Sequence, residues 1–264
     1  FHGGGNPPTT RLAQLAGLTP DLRILDVGGG LGGPAHTLAV EFGCNVTEVD
    51  LTESYVQAVR ELTVRLGLTG QVTHQVRNAL ELPFEDGQFD VVWTQNSAMN
   101  IHNKELLYAS FRCVLRLGRL LALGEPMAEQ VQPPIFPLMW AVDETTSFLR
   151  SPTEMRALIE ATGFDMRAWN DVTPEPKATW VLGHRLMSKV SGFSCLLGSR
   201  LALDINQRMR SRSSSFHIVS SISLATGGTF LYTPTDVRCS GTKSISFLWC
   251  GPDAETSESQ PPFG

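Results

Sequence analysis

Through about residue 170, apolar and polar positions follow two alternating periods. "LRILDV" (22–27) is a short apolar run that closes on a glycine-rich turn. "PAHTLAVEFG" (34–43) follows as a helix, with Pro34 near its start and Gly43 at its end. "CNVTEVD" (44–50) reads as a second strand. Thr52 is placed to cap the next helix, whose Val56, Val59, Leu62 and Leu66 fall near one face and which Gly67 stops. "QVTHQV" (71–76) alternates as a half-buried strand does. "FDVVWTQ" (89–95) is a continuous apolar run, as in a strand covered on both faces. Leu107, Phe111, Val114 and Leu115 predict a helical face that ends at Gly118, and "LLALGE" (120–125) predicts another strand. In "SPTEMRALIEATG" (151–163), Ser151 and Glu154 form a capping box, Pro152 takes the first helical position and Gly163 lies just past the end. "FDMRAWND" (164–171) is a further strand. Repeated strand–helix units predict an α/β, doubly wound fold: a mostly parallel sheet with helices on both faces.

The remainder breaks this pattern. Sixteen serines fall between Ser188 and Gly264, against five before them, and helical periodicity is lost. "FHIVSSISLA" (216–225) alternates and predicts one strand, whereas "GPDAETSESQPPFG" (251–264) has a disordered composition. The expected division is a main domain over 1–187 and an atypical Ser-rich segment over 188–264. That segment is either a divergent C-terminal piece or the product of a read-through or shifted reading frame.

A 42% apolar content supplies a core, and a formal net charge of −5 with no basic patch argues against nucleic acid as a partner. No run of about 18 apolar residues is present, so no membrane span is expected, and no signal peptide opens the chain. The five cysteines are scattered without a C-x-x-C pair. Neither a metal site nor a disulfide framework follows, and a reducing, cytoplasmic setting is expected.

The candidate chemistry lies in "RILDVGGGLGGPAH" (23–36), with five glycines in six residues. Gly28, Gly30 and Gly33 satisfy G-x-G-x-x-G after a strand, with Asp50 about 20 residues on, as in a dinucleotide site. The same turn is also acid-x-Gly-x-Gly-x-Gly through Asp26, Gly28, Gly30 and Gly32. Charge separates the two. An acid beside a pyrophosphate is unfavourable, and beside a sulfonium and an ammonium it is favourable. At ~5 Å and an effective dielectric of ~20 the difference is roughly 3 kcal/mol in either direction. Asp50, with Leu51 beside it, can accept both ribose hydroxyls. Asn78 can address an adenine edge that Ala79 and Leu80 flank, and Gln95 ends the fourth strand at the same crevice. No Tyr-x-x-x-Lys pair for hydride transfer is present.

"FHGGG", "LDVGGGLGGPAHTLA", "VDLTESYVQAVRELT", "ALELPFEDGQFDVVWTQNSAMNI" and "SPTEMRALIEATGF" together resemble the class I S-adenosylmethionine-dependent methyltransferases, over about residues 1–173. The subgroup resembled is the small-molecule type that includes sarcosine/dimethylglycine and phosphoethanolamine N-methyltransferases and ubiquinone-type C-methyltransferases. The resemblance implies a Rossmann-like sheet, S-adenosyl-L-methionine as cofactor and a small-molecule methyl acceptor. An amine is the expected acceptor, with C- or O-methylation of a lipophilic molecule as the alternative. An inactive, truncated remnant is the alternative of another class. The family's G-C-G is G-G-G here, its L-x-P-G-G before the fifth strand is "LRLGRLL", and its N-terminal helical lid before "FHGGG" has no counterpart.

Methyl transfer needs alignment of the acceptor and sometimes a base. Ser97, Asn100 and His102 follow the fourth strand. His102 is the candidate base, or else a loop residue, and His2 is a candidate contact in the "FHGGG" entry. His74 reads as structural, and Glu125 either faces the acceptor or caps its strand. Phe136, Met139, Trp140 and Phe148 form either an acceptor wall or a small satellite core.

Overall fold

In a computed structural model of the chain, residues 6–128, 136, 138, 140–172 and 226–234 are described. The strands are β1 (Arg23–Val27), β2 (Asn45–Asp50), β3 (Val72–Val76), β4 (Phe89–Gln95), β5 (Leu115–Met127), β6 (Phe164–Asp171) and β7 (Thr226–Pro234). The helices are α1 (Asn6–Leu15), α2 (Gly33–Phe42), α3 (Glu53–Arg65), α4 (Lys104–Val114) and α5 (Pro152–Ala161). One seven-stranded sheet has the order β3-β2-β1-β4-β5-β7-β6. The β1, β2, β3, β4 and β5 pairings are parallel, and β7 runs antiparallel between β5 and β6. The doubly wound α/β reading therefore holds.

Strand parity splits the core into two layers. Ile24, Val46, Val72, Val91 and Trp93 face Leu12, Ala13, Ala35 and Leu38 of α1 and α2. Leu25, Val27, Val92, Leu121 and Leu123 face Leu107, Tyr108, Phe111, Met155 and Ile159 of α4 and α5. All seven β4 residues are buried, as a central strand covered on both sides requires. The Ser151–Glu154 capping box is present, and Gly43 closes α2 in the left-handed region.

Several sequence expectations change. Thr52 is the N-cap of α3 but its side chain makes no capping bond. The buried residues of α3 are Val56, Val59 and Thr63, while Leu62 and Leu66 are exposed. A hydroxyl faces inward there because two histidines await it. The strand that completes the sheet is "TGGTFLYTP" (226–234), within the Ser-rich segment; "FHIVSSISLA" lies outside the described residues. Cys113 is disulfide-bonded, against the expectation that the scattered cysteines form no disulfide framework, whereas Cys44 is free and buried. α4 runs directly into β5. The β4–β5 register jumps from Phe89↔Leu115 to Val91↔Leu120, with Gly118 at φ 74°, and Arg116 and Arg119 turn back onto Asp90. That bulge is how "LRLGRLL" makes its turn without proline. Among the described residues no helix is long and apolar enough to cross a membrane, and no group of three or more His, Cys, Asp or Glu could hold a metal ion.

Candidate functional site

The order β3-β2-β1-β4-β5 places the switch point between β1 and β4, where ligands of open α/β sheets bind beyond the carboxyl ends of the strands. The chain leaves β1 there in a tight turn. Gly28 N–H donates to Val49 C=O at 2.8 Å, Gly32 N–H donates to Gly29 C=O at 3.0 Å, and Gly28, Gly30 and Gly32 all have φ between 62° and 76°. What demands each glycine differs. A side chain at Gly28 would collide with Ser97, one at Gly29 with the Glu48 side chain, and one at Gly32 with Val59 and His36. At Gly30 a Cβ would meet nothing within 4 Å. Gly30 is thus the turn's open face, and it is where a ligand can come close to backbone.

Asp50 stands beside that face. Its Oδ2 accepts Gly30 N–H at 3.0 Å and its Oδ1 accepts Thr52 N–H at 2.8 Å. A carboxylate has about four acceptor sites, so two hydroxyls can still be received. Leu51, 71% exposed, stands at the rim next to it. Asn78 is exposed, and its Oδ1 is spent on Leu80 N–H at 3.0 Å, which leaves its NH2 as the donor it can offer. Ala79 and Leu80 are half-buried against the α4-side core, and Ala79 C=O accepts from Ser110 Oγ at 2.6 Å. The turn and Asp50 come together directly, and Asn78 follows β3 on the same edge of the sheet.

Gln95 points elsewhere. Its Oε1 accepts Thr9 Oγ1–H at 2.9 Å and Trp93 Nε1–H at 3.2 Å, so the buried amide ties α1 to β4. Asp26 is also withdrawn: it is 1% exposed, and it takes a backbone hydrogen bond from Ala35 at the start of α2. Burial, with Glu48 and Asp50 close by, pushes its carboxyl well above the usual carboxylate range.

Two buried polar networks support the crevice from opposite faces of the sheet. On the α2/α3 face, Glu48 Oε2 meets His74 Nδ1 at 2.5 Å, His74 Nε2 meets Thr63 Oγ1 at 2.6 Å, and Thr63 Oγ1 meets His36 Nε2 at 2.7 Å. On the α4 face, Glu125 Oε1 accepts Thr94 Oγ1–H at 2.9 Å and Oε2 accepts the amides of Ser97 and Ala98 at 3.2 Å. Lys104, also buried, donates to Ala98 C=O at 2.6 Å and Ile101 C=O at 3.0 Å. Ser97 Oγ donates to Val27 C=O at 3.1 Å and backs Gly28. Glu125 is therefore a clamp on the loop after β4. Burial pushes it up to about 7, and burial lowers Lys104 to about 8.

His102 is exposed and edge-on to Phe148, with ring centroids 5.0 Å apart. Asn100 Nδ2 donates to Trp140 C=O and Thr146 C=O at 3.2 and 2.7 Å, and Trp140 Nε1 donates to Ser147 at 3.1 Å. His2 and Met139 lie outside the described residues, and Phe136 is half-buried. The sequence reading missed Glu48, Thr63, Thr94 and Lys104. Glu48 had a signal, since it shares strand parity with the core residue Val46. Lys104 had none.

Residues 24–118 match a family model described as a methyltransferase domain. The chain is 35% identical over 118 residues to the glycine/sarcosine/dimethylglycine N-methyltransferase of Actinopolyspora halophila, covering 45% of this chain and 21% of that protein. It is 34% identical over 121 residues to the 27-O-demethylrifamycin SV methyltransferase of Amycolatopsis mediterranei, covering 44% of each. The fold is that of Haemonchus contortus phosphoethanolamine N-methyltransferase 2, solved in complex with S-adenosyl-L-methionine: TM-score 0.70, 19% identity, with 88% of this chain and 53% of that one covered. The match thus spans less than half the length of either curated relative.

Proposed function

We propose, for a chain whose residues 24–118 match a family model described as a methyltransferase domain, that it is a class I methyltransferase and transfers a methyl group from S-adenosyl-L-methionine to a small-molecule amine. The observation that carries the cofactor reading is the acid-flanked open face at Gly30. There a bare glycine backbone lies beside Asp50, and Asp26 and Glu48 lie beneath the turn. The Asp50 carboxylate beside that bare backbone suits an adenosyl group bearing a sulfonium and opposes a pyrophosphate.

When bound, the cofactor supplies an already activated methyl carbon. The chain's own residues then bind and orient. Asp50 receives the ribose hydroxyls and Leu51 covers the rim. The Asn78 NH2 donates to the adenine edge beside Ala79 and Leu80. Gly28 and Gly32 shape the turn, and Gly30 lets the ligand approach. Asp26 and Gln95 act from behind, the first by accepting the Ala35 amide at the start of α2 and the second by holding α1 on β4.

What the acids and bases are doing supports the amine assignment. Glu125, the buried acid nearest the end of β4, spends its oxygens on Thr94, Ser97 and Ala98. A neutral amine needs no base to attack, whereas a hydroxyl or carbon acid does. The 35% identical relative named as an N-methyltransferase supports the same choice. O-methylation is the second reading: a 31% identical relative carries the name of a probable tocopherol O-methyltransferase, and exposed His102 is the base it would use. Calorimetric titration with S-adenosyl-L-methionine tests the cofactor, and no binding by the folded chain refutes the reading. A screen with radiolabelled cofactor over amines, phenols and alcohols tests the acceptor; label in hydroxyl compounds alone refutes the amine assignment.

A further inference from the structure

Parallel register sets Asp26, Glu48 and His74 in one row across β1, β2 and β3, on the face that α2 and α3 cover. Asp26 and Glu48 are each 1% exposed. Asp26 Oδ2 and Glu48 Oε1 have no hydrogen-bond partner among the described residues. Two adjacent buried carboxyls, each with a bare oxygen, strongly resist being ionised together. The other titratable or charged groups facing them are few. Asp50 is half-buried at the end of β2, His36 reaches in from α2, and Arg60 of α3 donates to His74 C=O at 2.7 Å. Burial and the neighbouring acids raise Asp26, and burial followed by Asp50 raises Glu48 to about 8. Burial lowers His74 to about 4 and also lowers His36. The proton therefore rests on the acids and the imidazoles stay neutral.

The Glu48 carboxyl lies directly under Gly29, where a Cβ would land on its Cγ, Cδ and Oε1, and the next residue is the open Gly30. One glycine separates this protonated acid from the face that a ligand approaches. Resting on the methyltransferase reading above, we propose that Glu48 is a specificity-determining residue. Paired with Asp26, it would release its proton when the sulfonium-bearing cofactor binds at the open face of the turn, and keep it when the uncharged thioether product binds. The route out is built. Glu48 gives its proton to His74 Nδ1, His74 Nε2–H passes one to Thr63, the Thr63 hydroxyl passes one to His36 Nε2, and one proton leaves to solvent. The carboxylate left behind neutralises the sulfonium charge. No such gain exists for the product, so the pair sets the preference for cofactor over product.

The sign follows from linkage. Cation binding favours the ionised acid, so affinity for S-adenosyl-L-methionine rises with pH up to about 8, the value of the ligand-free acid, and levels off above it. Titration calorimetry at pH 7.5 in buffers of different ionisation enthalpy counts the protons. About half a proton or more is expected to leave with S-adenosyl-L-methionine, and close to none with S-adenosylhomocysteine. The ratio of the two affinities is expected to rise about tenfold between pH 6.5 and 8.5, and to stay within about twofold in Glu48→Gln. Equal proton counts for the two compounds in the unsubstituted chain overturn the proposal whether or not the variant folds. A Glu48→Gln chain that still releases the proton overturns it as well. Failure of both compounds to bind overturns the underlying methyltransferase reading and takes this proposal with it, whereas binding with equal counts overturns this proposal alone.

Discussion

Gly30 N–H donates to Asp50 Oδ2 at 3.0 Å, so one carboxylate both clasps the glycine turn and borders its open face. Thr52 N–H holds the other oxygen at 2.8 Å. Asp50→Ala removes two charge-assisted bonds and is expected to cost about 1–3 kcal/mol of stability and more than about tenfold in cofactor affinity. Asp50→Asn keeps one acceptor and falls between. Urea denaturation and calorimetry read the two effects separately.

Gly30 and Gly32 share a left-handed backbone, but their surroundings differ. Gly30→Ala bears only the conformational cost, about 1–2 kcal/mol, because its Cβ would meet nothing. It should fold and lose cofactor binding. Gly32→Ala adds a collision with Val59 and His36, so its loss of stability should be the larger by about 1–3 kcal/mol. Thermal denaturation of the two variants side by side checks the order.

The hydrogen bond from Thr9 to Gln95 is buried and spans the gap between α1 and β4. Thr9→Val leaves the Gln95 carbonyl with Trp93 alone. The expected cost is about 1–2 kcal/mol, with faster amide exchange confined to α1. Hydrogen exchange followed by mass spectrometry locates it.

Glu125 titrates at about 7 in the folded chain, against 4.5 for an ordinary glutamate, because burial penalises its charge. Its folded value is raised, so its contribution to stability is fully present below about pH 4.5 and is lost as pH rises through about 7. The loss is about 3 kcal/mol at most. Lys104 titrates near 8, above that window. Glu125→Gln should reduce the fall in stability between pH 4.5 and 7, leaving the part that Glu48 contributes, as measured by denaturant midpoints across pH.

Asp90 lies at the opposite end of the strands. It accepts Arg23 N–H at 3.1 Å and pairs with Arg116 at 2.7 Å and with Arg23 and Arg119 at 3.6 Å. The guanidinium groups are half-exposed, so each pair is worth little, but the carboxylate itself is largely buried. Asp90→Ala is expected to destabilise by about 1–3 kcal/mol while cofactor affinity stays within about twofold, since a strand length separates it from Gly30. Calorimetry on the variant makes that comparison.

The sequence by itself determined the order of strands and helices from β1 through β6, the glycine turn, the capping box of α5 and the placement of Asp50, but not α1. These rest on local periods and on residues whose backbone preferences act over a few positions. Only the tertiary structure decided the partners. Parity placed Gln95 and Trp93 on one face, but only the packing of α1 spent that amide on Thr9. The row Asp26–Glu48–His74 exists because parallel register aligns three separate strands. The inward hydroxyl of Thr63 exists because two histidines meet there. Glu125 became a clamp once the loop after β4 folded back over β5. β7 was least legible, since the strand formers of "TGGTFLYTP" are few and lie between two glycines and a proline, and only β5 and β6 offer the segment two edges at once. Contacts between residues distant in sequence set these partners, and no local period encodes them.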